Sequence, residues 1–403
     1  MSWDRRLEVL LIGGGMISQE VVLPTLFQER RRGRVGRITV AARRPSTIGR
    51  CRELFPGEEF EGQPDPARHG AEEAQPEVWR EALGTLGEHG VVIVATPDHL
   101  HTEMTLAAVE AGCDVIVMKP LCLKVGEAHE IMACAARRGR YVATDYHKRL
   151  DRAIRLLRRR VRRGELGEML HGHAWIEEPK YMPLERFRAW AHESSPFEYI
   201  GVHYVDAYYF VTGLIPRRVA AFGQKKFLPT AGSEAYDAVQ AVIEWEDGSV
   251  LWVQTSWVCS ERNSAMTNQG LQVSGTKGEY WADHKFRNLH LLSDEGGFQQ
   301  INPNFFQAYD GWGEDDVEYV GYGYESIARW LGDILELHLA TAGLSEEEAL
   351  TYRARRLAEW ERGQRPLPRQ ALIGVAVNEA VRLSLANGSA YVLFDEGMRP
   401  RLA

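Results

Sequence analysis

The amino-acid sequence predicts an α/β domain built on a doubly wound parallel sheet, followed by an α+β domain with a mostly antiparallel sheet. Short, nearly continuous apolar runs alternate with helical patterns over the first 145 residues. From about residue 165 the strands become longer, and aromatic or β-branched residues alternate with polar ones. A length of 403 residues suits two domains. We place them at residues 1–148 and 149–403.

The first domain is predicted to alternate strand and helix. Apolar runs that end at polar or glycine residues predict strands, and apolar residues at helical spacing predict the helices between them. Residues 57–87 are rich in Gly, Pro, Glu and Asp, so we expect irregular surface structure there. The predicted strands are 7–12, 37–41, 91–95, 114–118 and 141–144, and the predicted helices are 19–31, 96–111 and 125–138.

The second domain shows the alternation expected of antiparallel strands. The turn residues 246–249 (EDGS) separate two such runs and indicate a hairpin. Nine of the eleven tryptophans lie beyond residue 150, which indicates an aromatic sheet face, an oligomer interface or platforms that stack on sugars. Residues 155–163 are strongly basic, and we interpret them as a solvated or interface helix. The predicted strands are 171–177, 238–245, 250–257, 271–274, 280–283 and 290–292.

Composition excludes several classes of protein. A net charge of −8 and a pI near 6.0 argue against a nucleic-acid partner. Five scattered cysteines without C-x-x-C spacing argue against disulfides and structural zinc, so we expect a cytoplasmic protein. His171 and His173 alternate on one strand, but spacing implies no third ligand, and we predict no metal. No apolar run approaches 18 residues, and no membrane contact is expected.

A glycine turn links the first predicted strand to the first helix. Gly13 allows the tight turn, Gly15 lets the backbone approach a pyrophosphate, and Ser18 is small enough for close helix packing. Backbone amides at the helix start, including those of Met16 and Ile17, would face the anion. The pattern in this context predicts a dinucleotide-binding Rossmann domain; the alternative is a plain tight turn.

The end of the second predicted strand indicates which nicotinamide cofactor binds. A carboxylate at this point usually contacts the ribose hydroxyl of NAD. The sequence instead places Arg43 and Arg44 there. Guanidinium groups can hold a 2′-phosphate in a bidentate manner, so we predict NADP(H) in preference to NAD(H). The alternative is two solvated arginines.

Three further stretches carry distinctive motifs, namely residues 95–101 (ATPDHLH), 118–121 (MKPL), and 201–206 (GVHYVD) followed by 210–213 (FVTG). Together they resemble the Gfo/Idh/MocA family of glucose–fructose oxidoreductases and inositol dehydrogenases. Their order along the chain is that of the family, and the turns at 246–249 (EDGS) and 274–279 (SGTKGE) are also similar.

The resemblance implies a Rossmann domain followed by a C-terminal domain with a large open sheet. It also implies oxidation of a sugar or cyclitol hydroxyl, or reduction of the matching ketone. Homodimers or homotetramers that associate through the sheet are expected. Two alternatives remain open: a glycoside-cleaving enzyme that uses transient oxidation, and a non-enzymatic nicotinamide-dependent sensor.

Lys119 and His203 fall at the positions of the family's catalytic lysine and histidine. An alcohol that loses a hydride must also lose its hydroxyl proton, and histidine suits this role because it titrates near neutral pH. An ammonium group beside the same oxygen would stabilise the developing alkoxide. These two residues are therefore the predicted proton-handling pair.

The sequence departs from the family pattern at two positions. Met118 stands where the family has a glutamate, and Tyr199 where it often has an aspartate. Tyr199 lies four residues before His203 and is predicted either to relay a proton or to shape the pocket. Asp206 is predicted to orient the imidazole, the alternative being a helix-surface role.

The remaining predicted contacts follow the same motifs. The resemblance places a group of residues against the cofactor, and a second group, after the last Rossmann strand and beside the catalytic histidine, against the substrate. The predicted cofactor contacts are Thr96, Pro97, His101, Lys119 and Pro120, and the predicted substrate contacts are His147, Lys148, Arg149 and Tyr204.

Overall fold

A computed structural model of the protein describes residues 6–87, 90–311, 313 and 317–403. Strands and helices alternate over the first 150 residues. They are β1 (Leu7–Ile12), α1 (Leu23–Arg31), β2 (Val35–Ala41), α2 (Pro45–Leu54), β3 (Glu61–Gln63), α3 (Val78–Leu83), β4 (Gly90–Val94), α4 (His101–Glu110), β5 (Asp114–Met118), α5 (Val125–Arg138) and β6 (Val142–Asp145).

Long strands dominate the next part of the chain, and helices dominate its end. The middle elements are α6 (Arg152–Arg162), β7 (Met169–Pro179), α7 (Val202–Thr212), β8 (Pro216–Gln224), β9 (Ala238–Trp245), β10 (Val250–Cys259), β11 (Asn268–Gly275), β12 (Gly278–Asp283), β13 (His290–Ser293) and β14 (Gly297–Gln300). The last are β15 (Gln307–Asp310), β16 (Val317–Val320), α8 (Tyr322–Thr341), α9 (Glu346–Arg362), α10 (Pro368–Ala386), β17 (Val392–Phe394) and β18 (Pro400–Leu402). None of the helices in the described ranges has the length and apolar character needed to span a bilayer.

Six strands form a parallel sheet in the order β3-β2-β1-β4-β5-β6. Strands β1, β4 and β5 are buried along almost their whole length, as expected when helices cover both faces. The parallel, doubly wound α/β sheet predicted from the sequence is confirmed, and this strand order is that of dinucleotide-binding sheets.

One region of this sheet differs from the expectation. The irregular structure predicted for residues 57–87 is wrong in part, because the region contains β3 and α3. Strand β3 has only three residues, and it forms by pairing with Thr39–Ala41 of β2 rather than through any apolar pattern of its own. Trp79 and Ala82 anchor α3 by burial. Short elements that depend on tertiary contacts leave little periodic signal.

Eight strands form the second sheet, in the order β12-β11-β7-β10-β9-β8-β17-β18. Every pair is antiparallel except β7 with β10, so the predicted mostly antiparallel sheet is confirmed. Burial alternates along β9, which shows that one face is packed and the other more open. Trp252 lies on the open face, 45% exposed and stacked on His173 with ring centroids 4.8 Å apart.

The chain divides into two compact units. Unit 1 comprises the described residues of 1–122, 127–147 and 306–370, and unit 2 those of 123–126, 148–305 and 371–403. Residues 306–370, which include α8 and α9, therefore group with the parallel sheet although they follow the second sheet in the sequence. The division of function between residues 1–148 and 149–403 stays a prediction.

A buried charge cluster joins α8 and α9 to the parallel sheet of unit 1. The carboxylate of Asp114, at the start of β5, is fully buried and pairs with Arg353 of α9. It also lies 2.8 Å from Nε2 of His338 in α8 and accepts the backbone N–H of Tyr141 at 2.7 Å. Burial alone would raise the pKa of Asp114, but Arg353, His338 and Arg140 outweigh it and hold that pKa well below its usual value.

Replacing Asp114 by asparagine should lower the free energy of unfolding by about 3–5 kcal/mol, because Arg353 would be left as a buried charge without its counter-ion. Urea denaturation measures the loss. The control is Glu336→Gln, which removes the exposed ion pair with Arg356 and should cost no more than about 1 kcal/mol. Equal small losses in both variants would contradict a stabilising role for the cluster.

Candidate functional site

The glycine turn after β1 leaves no space for a side chain at its first residue. Gly13 has φ +108°, and a Cβ there would come within 2.1 Å of the carbonyl oxygen of Ala95. The hydroxyl of Ser18 donates to the carbonyl of Gly13 at 2.8 Å and is itself buried. Ser18 is therefore small, as the motif requires, and its hydroxyl also links the turn to the start of the helix through a hydrogen bond.

The next two glycines of the turn face different surroundings. A Cβ on Gly14 would meet Thr47 of α2 at 2.6 Å, so this residue is needed for packing, a requirement that the spacing did not predict. A Cβ on Gly15 would meet nothing within 4 Å. Gly15 is exposed, and Met16 and Ile17 are half-buried at the start of the helix. The open space in front of Gly15 fits a pyrophosphate approaching the backbone.

Arg43 and Arg44 are both exposed at the end of β2. Arg44 Nη1 lies 3.5 Å from a carboxylate oxygen of Glu72, and both side chains are largely solvated. Arg43 has no ion-pair partner within the described ranges. Exposed pairs of this kind contribute little to stability, so both guanidinium groups can turn to an anionic ligand.

His101 supports the loops that follow β4 and β5. Its Nδ1 lies 2.7 Å from the carbonyl oxygen of Pro120, and its Nε2 lies 2.9 Å from that of Thr96. The ring has no exposed surface. Both ring nitrogens thus face backbone carbonyls, and a direct contact between His101 and the cofactor stays a prediction. Pro97 is half-buried, and Lys119 is half-buried directly after β5.

His147 follows β6 and is the last residue of the segment 127–147 of unit 1. Its Nδ1 lies 3.6 Å from a carboxylate oxygen of Asp145, and its ring stacks on Tyr322 at 5.6 Å. Trp330 donates from Nε1 to the other oxygen of Asp145 at 3.0 Å. Tyr322 and Trp330 both belong to α8. Sequence reasoning missed these supporting residues because they lie almost 200 positions further along the chain.

His203 lies in α7 of unit 2, a helix whose residues from 202 to 211 are all buried. Asp206 follows one turn later, but both of its carboxylate oxygens accept from Arg149, at 2.9 and 2.6 Å. Burial raises the pKa of Asp206, and Arg149 opposes that shift. Asp206 thus pairs with Arg149, whose side chain is 2% exposed. The orientation of His203 by Asp206 and the contact of Arg149 with substrate stay predictions.

Lys148 and Tyr204 also face the interior of unit 2. Lys148 donates to Gln269 at 2.5 Å and lies 4.9 Å above the ring of Tyr204. The hydroxyl of Tyr204 lies 3.4 Å from the same Gln269 oxygen and 3.0 Å from Nδ1 of His284. Both side chains are buried. These polar groups are used within the buried network, and the contacts of Lys148 and Tyr204 with substrate stay predictions.

Two groups of this network titrate unusually. Burial lowers the pKa of Lys148 to about 8, against the attraction of Asp151. Burial, and then the nearby charges of Lys148 and Arg287, lowers the pKa of His284 well below its usual value. His284 is thus a neutral partner for Tyr204 at physiological pH. The network thus contains the strongly desolvated ammonium group of Lys148, which directly follows the segment 127–147 of unit 1.

Tyr199 lies in a π-helical turn, Phe197–Gly201, that leads into α7. Its half-buried ring packs on three other aromatic rings, with centroid distances of 4.7 Å to Phe187, 5.2 Å to Trp190 and 6.2 Å to Trp257. We call Phe187, Trp190, Tyr199 and Trp257 the aromatic cluster. Trp190 is also half-buried, so two of the four rings keep exposed surface. The ring of Tyr199 is thus surrounded by aromatic side chains, and its role as proton relay or pocket wall stays a prediction.

The described part of the chain holds no group of three or more His, Cys, Asp or Glu side chains arranged to bind a metal ion.

The strand order and the glycine turn define unit 1 as a dinucleotide-binding Rossmann domain. The family model described as "Oxidoreductase family, NAD-binding Rossmann fold" matches residues 7–146, and the model of the "GFO/IDH/MocA C-terminal domain" matches residues 154–281. Together they match more than half of the chain, which therefore belongs to the Gfo/Idh/MocA oxidoreductase family.

Individual relatives agree with this assignment. D-glucoside 3-dehydrogenase of Escherichia coli (strain K12) is 28% identical over 226 residues, which span 51% of this chain and only 61% of the relative. Myo-inositol 2-dehydrogenase from Lactobacillus plantarum shares the fold with a TM-score of 0.69 at 15% identity, over 97% of this chain and 100% of the other. Scyllo-inositol dehydrogenase from Lactobacillus casei, solved with NAD(H) and scyllo-inositol, gives 0.63 at 15% identity, over 96% and 99%.

The lowered pKa of Lys148 predicts a pH-dependent stability. Between pH 8 and about 10.4, the ordinary lysine value, the unfolded chain binds the proton and the native state does not. The contribution of Lys148 to the free energy of unfolding should therefore rise with pH over this window, by up to about 3 kcal/mol. Cys51, Cys113 and Cys259, whose pKa values burial raises to about 11 or 12, contribute in the opposite sense above about pH 8.5, so the contribution of Lys148 is measured as a difference between variants.

Urea denaturation at pH 7 to 10 compares the wild type with Lys148→Met, which should lack the contribution of Lys148, so the free energy of unfolding of the wild type should rise relative to that of the variant as pH increases. Lys277→Met, at the exposed turn between β11 and β12, should keep the wild-type slope. If Lys148→Met also keeps the slope, another group is responsible for it.

Proposed function

We propose that this protein is an NAD(P)-dependent oxidoreductase that interconverts a hydroxyl and a ketone on a sugar, sugar derivative or cyclitol. The observation that carries the proposal is the turn at Gly13 and Gly15, which brings backbone close to Ala95 and leaves open space at the helix start. When bound, the nicotinamide would accept or supply the hydride. The relatives named above act on glucosides and inositols, which indicates the substrate class.

Proton handling is assigned to Lys119 and His203. In the oxidative direction the carbon loses hydrogen with its electron pair, the hydroxyl proton leaves to a base, and the C–O bond becomes a carbonyl. His203 is the proposed base for that proton. The ammonium group of Lys119 would stabilise the negative charge that develops on the oxygen.

The aromatic cluster supports a substrate with an apolar ring face. The half-buried rings of Trp190 and Tyr199 offer flat, apolar surface at the entry to the helix that carries His203. Ligand pockets are lined mainly by such side chains, with few polar groups that fix orientation. A pyranose or cyclitol ring presents C–H groups of this kind. We therefore assign Tyr199 to shaping the pocket.

Assembly and location follow from the same features. We propose a homodimer or homotetramer that associates through the open face of the second sheet, where Trp252 and Trp281 are 45% and 70% exposed. None of the five cysteines forms a disulfide within the described residues, which supports the cytoplasm as its location.

The activity is tested by following reduced nicotinamide with NAD⁺ or NADP⁺ and a panel of D-glucose, methyl β-D-glucopyranoside, levoglucosan, myo-inositol and scyllo-inositol. Lys119→Met and His203→Asn should each lower kcat by about 10²- to 10⁴-fold, because each removes a proton-handling group. Cofactor affinity, measured by calorimetry, should change little.

His171→Asn, at an exposed position of β7, is the control and should keep full activity. Full activity in both site variants would refute the assignment of the two residues. Cleavage of a glycoside without accumulation of reduced cofactor would instead favour a hydrolase that uses transient oxidation.

We also propose that NADP(H) is preferred to NAD(H), since Arg43 and Arg44 are exposed where a carboxylate would otherwise contact the ribose. Arg43→Ala combined with Arg44→Ala should weaken NADPH binding by about 10- to 100-fold, because charge-assisted hydrogen bonds contribute about 1.5–3 kcal/mol. NADH binding should change far less. Arg50→Ala, at an exposed position of α2, is the matched control. Equal losses for both cofactors would overturn the preference.

A further inference from the structure

We infer that His101 is a positioning residue that sets the location of Lys119 through the carbonyl group of Pro120. The inference rests on the proposed function, because it assumes that Lys119 acts on the substrate. It gives His101 a role other than contact with the nucleotide.

His101 joins two loops at the same edge of the parallel sheet. It is the first residue of α4, and the two carbonyl oxygens that it faces belong to Thr96, just after β4, and Pro120, just after β5. Strands β4 and β5 are neighbours and run parallel, so both loops leave the sheet at its carboxyl edge. Ligands bind at that edge in open parallel sheets.

The chemistry of these groups favours a two-nitrogen ring. A carbonyl oxygen only accepts hydrogen bonds, and imidazole carries nitrogens on both sides that can donate, one in the neutral ring and both in the charged ring. Proline lacks an N–H, so the carbonyl is the only backbone group of Pro120 that can form a hydrogen bond. His101 is fully buried, and water cannot substitute for it there.

This contact bears on catalysis through the backbone. Lys119 is bonded to Pro120, so a shift of the Pro120 carbonyl moves the base of the lysine side chain with it. Reaction rates fall by about 10²-fold when a reacting group is misplaced by about 1 Å. Loss of the contact with Pro120 should therefore affect kcat, whereas loss of the contact with Thr96 should affect it less.

Asparagine and glutamine separate the two contacts. The amide nitrogen of asparagine occupies the place of Nδ1 and can still donate to Pro120, whereas that of glutamine occupies the place of Nε2 and can donate only to Thr96. His101→Gln should lower kcat by about 10²-fold, and His101→Asn should keep it within about threefold. The dissociation constants of NAD⁺ and NADP⁺, measured by calorimetry, should change far less than kcat in His101→Gln and little in His101→Asn.

Thr105→Val is the control, because Thr105 is buried in the same helix and its hydroxyl has no hydrogen-bond partner within the described residues. It should leave kcat unchanged. Equal losses of kcat in the asparagine and glutamine variants would show a general structural role and overturn the inference. Weaker cofactor binding with unchanged kcat would overturn it in favour of nucleotide contact.

Crystal structures of the two variants provide a readout that does not depend on turnover. The Pro120 carbonyl should be displaced in His101→Gln and remain in place in His101→Asn. If the wild type oxidises none of the polyols, the proposed function fails, and this displacement still decides whether His101 holds the loop. An undisplaced carbonyl in both variants would refute the inference.

Discussion

The arrangement of unit 1 depends on one close approach between two stretches of backbone. Gly13, after β1, stands against the carbonyl of Ala95, after β4, where no other residue type fits. The N–H of Gly13 donates to Ala41 and the N–H of Ala95 donates to Ile12, each at 2.8 Å. The carboxyl ends of β1, β2 and β4 are therefore aligned at the same edge of the sheet. The open space at Gly15 and the loop that His101 supports both lie beside that edge.

The local pattern of apolar residues predicted most strands of the parallel sheet. It did not predict that residues 306–370 belong to the same unit. Strands β1 and β5 have the predicted bounds because each is a nearly continuous apolar run that is buried along its length. Helix α5 has the predicted bounds because its apolar residues recur at helical spacing. Strand β3 forms only through its partner. The grouping of residues 306–370 with the parallel sheet had no local signal at all, because a helical pattern does not state which surface it will cover.

The site shows the same division between local and distant information. Motifs indicated candidate residues for the proposed reaction centre, but their spacing could not show how deep each side chain lies. Arg149 and Asp206 neutralise each other in the interior, and Lys148 is taken up by Gln269, a residue 121 positions away. A charged residue beside a motif becomes a ligand contact or an internal partner according to groups that sequence spacing cannot place.

The pairing of Asp114 with Arg353 has a consequence for synthesis on the ribosome. The two residues are 239 positions apart, an interval that takes roughly 10 to 50 s to translate at 5–20 residues per second. During that time strand β5 has emerged without the arginine that neutralises the carboxylate of Asp114. The nucleotide-binding unit, although it begins at the N-terminus, can reach its final packing only after all the long strands of the second sheet have been made.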